Sequence, residues 1–119
     1  MSAKQRILCV SNREMLMNAR KEWLEKAGFS VASAYGPQEA SRIYGLGHGF
    51  DLLVLGYSVS RTDKLAMIEL FRANCKAPIL SVRMHGDAPL GEAEFSIDSG
   101  NEHEMLAIAA RMAIGLGHA

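Results

Sequence analysis

Short apolar runs alternate along the chain with longer stretches in which apolar residues recur at helical spacing. Residues 6–10, 51–55 and 78–82 are nearly continuous apolar runs, a pattern typical of strands buried on both faces of a parallel sheet. Residues 29–34 and 94–97 are weaker strand candidates, and serines interrupt the first of them. The pattern therefore predicts a sheet of five strands.

The stretches between these strands carry the start signals of helices. Ser11 or Asn12 is predicted to cap a first helix that follows the first strand. Pro37 suits the first turn of a second helix, and apolar spacing predicts a third over about residues 62–74. A closing helix is predicted over residues 102–114.

The interval between the fourth and fifth strands is too short for a full helix. Residues 83–93 include Gly86, Pro89 and Gly91, so they hold a single helical turn at most. Strict alternation elsewhere predicts an α/β fold, a three-layer α/β/α sandwich with helices on both faces of a parallel sheet. We expect the fourth helix to be shortened or absent, and residues 1–119 to form a single domain.

Charge and hydropathy limit the binding partners and the cell compartment that we expect for such a domain. Thirteen basic and thirteen acidic side chains cancel, so we expect no binding to nucleic acid or to an anionic membrane. No apolar run approaches the roughly 20 residues that span a bilayer. Residues 1–6 are too short and too polar to open a secretory signal, and a cytoplasmic location is expected.

The cysteines and histidines do not form the pattern of a disulfide framework or of a metal site. Cys9 and Cys75 fall near opposite ends of predicted strands, and we expect two reduced thiols. None of the four histidines stands at metal-ligand spacing from another histidine or from a cysteine. We therefore expect no metal and no other cofactor.

Four segments of the chain resemble the response-regulator receiver domain, which has a CheY-like, flavodoxin-like fold. These segments are residues 6–10 (RILCV), 27–31 (AGFSV), 51–55 (DLLVL) and 78–80 (PIL), within a similarity that extends over about residues 4–115. The resemblance implies a parallel sheet of strand order 2-1-3-4-5. It also implies a role in two-component, or phosphorelay, signal transduction.

The residues that carry out phosphorylation in this family are replaced here. Receivers end their first strand in two acidic residues that hold Mg²⁺, and the corresponding positions are Ser11 and Asn12. A hydroxyl and an amide offer no carboxylate charge to this hard cation. The phosphoacceptor aspartate corresponds to Gly56, which has no nucleophile. The resemblance thus implies a degenerate receiver, or pseudo-receiver.

The fourth and fifth strands also depart from the family pattern. The family's threonine or serine falls on Arg83, or on Ser81 after a two-residue shift, and its lysine falls on Asp98. Arg83 and Asp98 are expected to meet over the vacated pocket, where an ion pair would imitate the charge balance of the phosphorylated state. The alternative is a pair of solvated loop charges that contribute little. The predicted degenerate phosphorylation pocket comprises Ser11, Asn12, Gly56, Arg83 and Asp98.

The last predicted helix carries an apolar band that is broader than one buried stripe requires. Loss of the fourth helix would also thin the cover over neighbouring apolar surface. Part of this surface is expected to bind a protein partner, which is either another signalling protein or a second copy of the chain. The candidate partner-binding residues are Phe95, Met105, Ile108 and Met112.

Three functions fit these observations. The leading one is a receiver-like signalling module that acts by protein–protein interaction, without phosphorylation and without enzymatic activity. The second is a flavodoxin-like small-molecule or cofactor-binding domain or enzyme, with the polar residues of the pocket at the strand ends where such folds bind ligands. The third is an active phosphoreceiver whose acceptor is displaced to Asp51 or Asp63.

Overall fold

The computed structural model describes residues 4–45, 49–74 and 76–117. In this part of the chain, strands and α-helices alternate as far as the fourth strand. The fifth strand follows with no helix between them. The elements are β1 (Arg6–Ser11), α1 (Glu14–Lys26), β2 (Ser30–Tyr35), α2 (Gly36–Gly45), β3 (Leu52–Leu55), α3 (Arg61–Asn74), β4 (Ile79–Arg83), β5 (Phe95–Asp98), a 3₁₀ turn (Ser99–Asn101) and α4 (Glu102–Gly117).

All strand pairs are parallel, and the sheet order is β2-β1-β3-β4-β5. At the centre of the sheet, Val10 of β1 lies opposite Ala34 of β2 on one side and Leu55 of β3 on the other. The predicted strand order is confirmed. Because all strands run the same way, their carboxyl ends meet at one edge of the sheet, where this class of fold places its functional sites.

Alternate residues of the strands pack into two apolar layers, one on each face of the sheet. Leu52 and Val54 of β3 face α1 and α4, where they pack with Leu24 and Leu106. Leu53 and Leu55 face the opposite layer, which α2 and α3 cover through residues that include Ala40, Met67 and Phe71. This arrangement is the predicted three-layer sandwich, and it explains why β3 is apolar throughout.

No helix forms between β4 and β5 within residues 84–94, as the short interval predicted. Gly86 turns the chain with a φ of 92°, and Leu90 is buried against the α3 side of the core. Glu94 lies just before β5 and is not part of it: its carboxylate accepts from Arg72 at 2.5 Å and from the Ile79 amide at 2.8 Å. These contacts bind the end of the loop, which stands in place of the missing helix, to α3 and β4.

Neither Ser11 nor Asn12 caps α1, so this prediction is wrong. The residue before the helix is Arg13, which makes no side-chain capping bond. The reason is a competing long-range partner, because Ser11 ends β1 and the polar groups of Ser11 and Asn12 bond to Ser58 beyond β3.

Helix α1 fully buries few of its residues. Only Leu24 and Arg20 are fully buried, and Trp23 is partly buried, with its ring centroid 4.7 Å from that of His103 in α4. An arginine therefore takes a core position in this helix, and its partner is described below.

Cys9 is a buried, unbridged thiol in the centre of β1. Burial raises its pKa from 9.0 to about 12; Arg20 opposes the shift, and Glu102 adds to it. Such a thiol is inert. Cys75 lies outside the described residues. Within the described ranges no helix combines the length and the apolar composition needed to cross a membrane.

Candidate functional site

The five predicted pocket residues lie at the carboxyl edge of the sheet. Ser11 ends β1, Gly56 follows β3, and the Gly56 amide donates to the Val10 carbonyl at 2.9 Å, which extends the β1–β3 pairing by one residue. Arg83 ends β4 and lies opposite Asp98, the last residue of β5. The parallel sheet thus brings together residues at the ends of four strands, with β1 on one side of Gly56 and β4 and β5 on the other.

A neutral hydrogen-bond cluster closes the β1–β3 corner. The hydroxyls of Ser11 and Ser58 are 3.3 Å apart, and the Asn12 amide donates to the Ser58 hydroxyl at 3.2 Å. The Asn12 side-chain amide donates to the Ser58 carbonyl at 3.4 Å, and the Arg13 amide donates to the Ser11 hydroxyl at 3.1 Å. The polar groups of this cluster therefore bond to one another, and they present no negative charge to a cation.

Gly56 is buried because a guanidinium lies directly beside it. A β-carbon added at Gly56 would lie 2.6 Å from Arg20 Nη1 and 3.1 Å from the Val10 carbonyl oxygen. The second neighbour is backbone and cannot move aside easily. The Arg20 guanidinium also lies over the Tyr57 ring, 5.7 Å from its centroid. The position of the family's acceptor thus leaves no room for a side chain unless Arg20 shifts.

Arg20 is held there by Glu102, the first residue of α4. The guanidinium donates to both carboxylate oxygens, through Nε to Oε2 and through Nη2 to Oε1 at 3.1 Å. The two residues are 1% and 4% exposed, so the pair is desolvated and joins α1 to the start of α4. The remaining nitrogen, Nη1, is buried without a hydrogen-bond partner among the described residues, and it is the atom that faces Gly56.

Arg83 and Asp98 are in contact, with Arg83 Nη1 3.4 Å from Asp98 Oδ2. Asp98 has shorter bonds elsewhere: its Oδ1 accepts from the Gly100 amide at 2.7 Å, and its Oδ2 lies 3.0 Å from His85 Nδ1. The pKa of Asp98 is lowered, first by the Gly100 bond, then by His85 and to a smaller extent by Arg83. Asp98 is therefore chiefly the cap of the turn that leads into α4, and Arg83 is a secondary partner.

Lys64 of α3 approaches the same edge from beneath β4. Its ammonium donates to the Ser81 hydroxyl at 3.0 Å and to the Val82 carbonyl at 2.9 Å. Burial lowers the pKa of Lys64 from 10.5 to about 8; Arg20 and Arg61 lower it further, and Asp87 opposes them. Three cationic side chains, Arg20, Lys64 and Arg83, thus lie at this edge of the sheet. A site for a divalent cation would instead present carboxylates.

The pKa values of Lys64 and Cys9 predict an unusual dependence of stability on pH. Between about pH 8 and pH 9 the folded chain releases the Lys64 proton while the unfolded chain keeps it, so the free energy of unfolding should rise, by less than about 1 kcal/mol. Above about pH 9 the unfolded Cys9 thiol ionises and the buried one does not, which offsets the rise. Urea denaturation at each pH would measure both effects.

The matched comparison is the Lys64→Met variant, which keeps Cys9. This variant should lose the rise between about pH 8 and pH 9, and its stability should decline over the same interval. An identical slope in the two proteins would show that the Lys64 ammonium has an ordinary pKa in the folded chain.

The two alternative acceptors lie on opposite sides of β3 along the chain. Asp51 precedes β3 at the amino end of the sheet, where its carboxylate accepts from the Arg6 amide at 2.8 Å. Asp63 lies in the first turn of α3, and its amide donates to the Ser60 hydroxyl at 3.1 Å. Asp51 thus lies at the opposite end of β3 from Gly56, and among the described residues no group of three acidic, histidine or cysteine side chains forms a metal site.

The candidate partner-binding residues differ in exposure. Met105, Ile108 and Met112 are exposed on α4, with Met112 56% exposed. Phe95 of β5 is partly buried and packs against the core on the α4 side of the sheet. The exposed band therefore consists of the α4 residues, and Phe95 supports it from beneath.

Sequence reasoning missed Arg20, Glu102 and Lys64. Arg20 carries a recognisable signal, because it stands four residues from both Leu16 and Leu24 and so shares a helical face with these apolar residues. Lys64 likewise precedes Ile68 by one helical turn. A lone cation on an apolar stripe predicts a buried partner, although the partner's identity comes only from the fold.

The fold is similar to that of solved receiver domains, whereas the sequence matches no family model and no curated protein. A response regulator receiver domain protein from Clostridium thermocellum is 19% identical, with a TM-score of 0.81 over 96% of this chain and 97% of that chain. The N-terminal domain of a response regulator/sensory box/GGDEF protein from Carboxydothermus hydrogenoformans is 17% identical, with a TM-score of 0.84 over 96% and 97% of the two chains.

A CheY-like receiver domain from Methanospirillum hungatei is also 17% identical, with a TM-score of 0.80 over 98% of each chain. Similarity at this level of identity concerns the fold alone. The chain thus has the CheY-like fold of response regulator receiver domains.

Proposed function

We propose that this chain is a receiver-like signalling module of a two-component system that acts by protein–protein interaction and is not phosphorylated. The observation that carries the proposal is the Arg20 guanidinium beside Gly56, in the space that an acceptor side chain would need. A buried cation bound to Glu102 stands where a phosphorylated receiver would gain negative charge. In this proposal the module therefore works without a phosphorylation switch.

The chemistry of phosphoryl transfer supports this view. Formation of an acyl phosphate needs a carboxylate nucleophile and a cation that neutralises the transferred group. Gly56 supplies no nucleophile, and Ser11 and Asn12 are engaged with Ser58 in a neutral cluster. The proposal accordingly assigns the chain no enzymatic activity and no resident metal.

The exposed apolar residues of α4 are the proposed docking surface. Met105, Ile108 and Met112 stand on the outer side of the helix whose first residue, Glu102, holds Arg20. A partner bound there would contact the element that the buried ion pair positions. The partner in this proposal is a cytoplasmic signalling protein or a second copy of the chain, and neither nucleic acid nor a membrane, because the net charge is zero.

Placing a charge on this surface should abolish association. We expect Met112→Glu to prevent self-association seen by light scattering across a concentration series, because a carboxylate would be desolvated in an apolar interface. Met15→Glu is the matched control, since Met15 is 86% exposed and belongs to α1, not to the exposed band of α4. Incubation with acetyl phosphate and Mg²⁺ should leave the association unchanged.

Three outcomes would contradict parts of this proposal. Association that survives Met112→Glu would place the interface elsewhere, and a strictly monomeric chain at high concentration would remove the second copy as the partner. Association that strengthens on incubation with acetyl phosphate would contradict the independence from phosphorylation.

A further inference from the structure

A cavity of about 230 Å³ opens between the start of α3 and the loop that joins β4 to β5. It exists because no helix covers this part of the sheet within residues 84–94. Val59 and Leu90 form its apolar part, and Tyr57 lies at the side nearest Gly56. The volume is below that of sites for drug-sized ligands, so any occupant is small.

The charged lining of this cavity is mainly cationic. Arg61, Lys64 and Arg83 line it, and Asp87 is the one acidic residue among the lining residues that the structure describes. Asp98 pairs with Arg83 but is not part of the lining. Arg61 is exposed at the rim, Lys64 is buried, and Arg83 lies between them in depth. An anion entering the cavity would therefore meet positive charge at every depth.

Lys64 has a donor left for a ligand. An ammonium has three N–H groups, and the Ser81 hydroxyl and the Val82 carbonyl accept two of them. Burial is the main cause of its lowered pKa, and the neighbouring cations Arg20 and Arg61 lower the pKa further while Asp87 opposes them. A bound anion would relieve this repulsion.

Arg83 is also incompletely satisfied. Its Nη1 donates to the Asp87 carbonyl at 3.2 Å and to Asp98 at 3.4 Å, both long bonds. Its Nε is buried and has no hydrogen-bond partner among the described residues. Guanidinium groups bind phosphate and carboxylate oxygens through two parallel N–H bonds. Arg83 and Lys64 therefore both line the cavity, and each side chain has more N–H groups than its described bonds use.

We propose that this cavity binds a small phosphate-type dianion without forming a covalent bond, with Lys64 and Arg83 as its main ligands and Arg61 at the entrance. The site shares Arg83 with the degenerate phosphorylation pocket, but it needs neither an acceptor carboxylate nor magnesium. Inorganic phosphate and the phosphate group of a small monoester share this chemistry. The inference goes beyond the proposed signalling role, because it would make the module responsive to a ligand.

Calorimetric titration with inorganic phosphate, with glycerol phosphate and with succinate would test this site at pH 7. We expect saturable binding of the phosphate compounds at one site per chain, and weaker binding of succinate. Arg83→Gln should weaken phosphate binding by about tenfold, because it removes a charged hydrogen bond. Arg61→Gln at the exposed rim should weaken binding less and leave the fold unaffected.

Arg42→Gln is the matched control, because Arg42 is exposed on α2 and the substitution changes the net charge equally. Its affinity for phosphate should equal that of the unmodified chain. Tighter binding of glycerol phosphate than of phosphate would identify the ligand as an organic monoester, and equal affinity would identify free phosphate. Binding that does not saturate, or that Arg83→Gln and Arg61→Gln leave unchanged while the chain stays folded, would overturn the proposal.

Discussion

Replacing Glu102 with alanine is expected to lower the free energy of unfolding by about 3–5 kcal/mol, because it strands the buried Arg20 guanidinium without its counter-charge. Both partners are nearly inaccessible to solvent, so water cannot replace the lost carboxylate without opening the core between α1 and α4. Equilibrium urea denaturation measures the change.

Glu104→Ala is the control for this experiment. Glu104 lies in the same first turn of α4 and is exposed, so its loss removes the same favourable charge near the helix N-terminus without uncovering a buried cation. Its effect should stay below about 1 kcal/mol. Equal effects of the two substitutions would show that the Arg20–Glu102 pair is not a desolvated contact.

The double variant Arg20→Met, Glu102→Met compares the loss of both charges with the loss of one. Replacing both charges by apolar side chains of similar size is often neutral or stabilising. We therefore expect the double variant to recover most of the stability that Glu102→Ala loses. Strong non-additivity would identify the pair as one coupled unit.

Replacing Gly56 with alanine is expected to cost about 1–3 kcal/mol of unfolding free energy through overpacking. The new methyl group would meet Arg20 Nη1 at 2.6 Å and the Val10 carbonyl at 3.1 Å, so the buried guanidinium and the β1–β3 pairing must both adjust. The same substitution in an Arg20→Met background should cost less, because a flexible apolar side chain can move aside.

Gly91→Ala provides the comparison, since a β-carbon at Gly91 would have no neighbour within 4 Å. Its effect should lie within about 0.5 kcal/mol of zero. If Gly56→Ala is tolerated as well as Gly91→Ala, the space beside Gly56 is open and the guanidinium does not exclude a side chain from the acceptor position.

The sheet and its layers were predictable because they follow from local patterns. Continuous apolar runs at residues 6–10, 51–55 and 78–82 require burial on both faces, and alternation with helices then leaves only a parallel, covered sheet. The missing helix followed from the short interval and from the glycines and proline within it. Strand boundaries shifted by about one residue, as at Glu94, where the side chain bonds to Arg72 and the residue stays outside β5.

The contents of the site were less predictable because they depend on contacts distant in sequence. Arg20 and Glu102 are separated by 82 positions, and Ser11 and Ser58 by 47. The sequence placed Arg83 beside Asp98 correctly, because both end neighbouring strands, but it gave no sign that Asp98 would cap the turn before α4. Lys64 reaches the site from α3, where it bonds to Ser81 of β4. A prediction based only on the residues at strand ends does not include such helix residues.

The central claim is that the folded chain cannot accept a phosphoryl group. Intact-mass spectrometry after incubation with acetyl phosphate and Mg²⁺ tests this most directly, with a phosphorylatable receiver domain treated in parallel. We expect the mass to be unchanged. Gly56→Asp alone should also remain unmodified, because Ser11 and Asn12 supply no carboxylate for the metal and Arg20 lies in the way. Stoichiometric addition of a phosphoryl group to the unmodified chain, at Asp51 or Asp63, would contradict the claim.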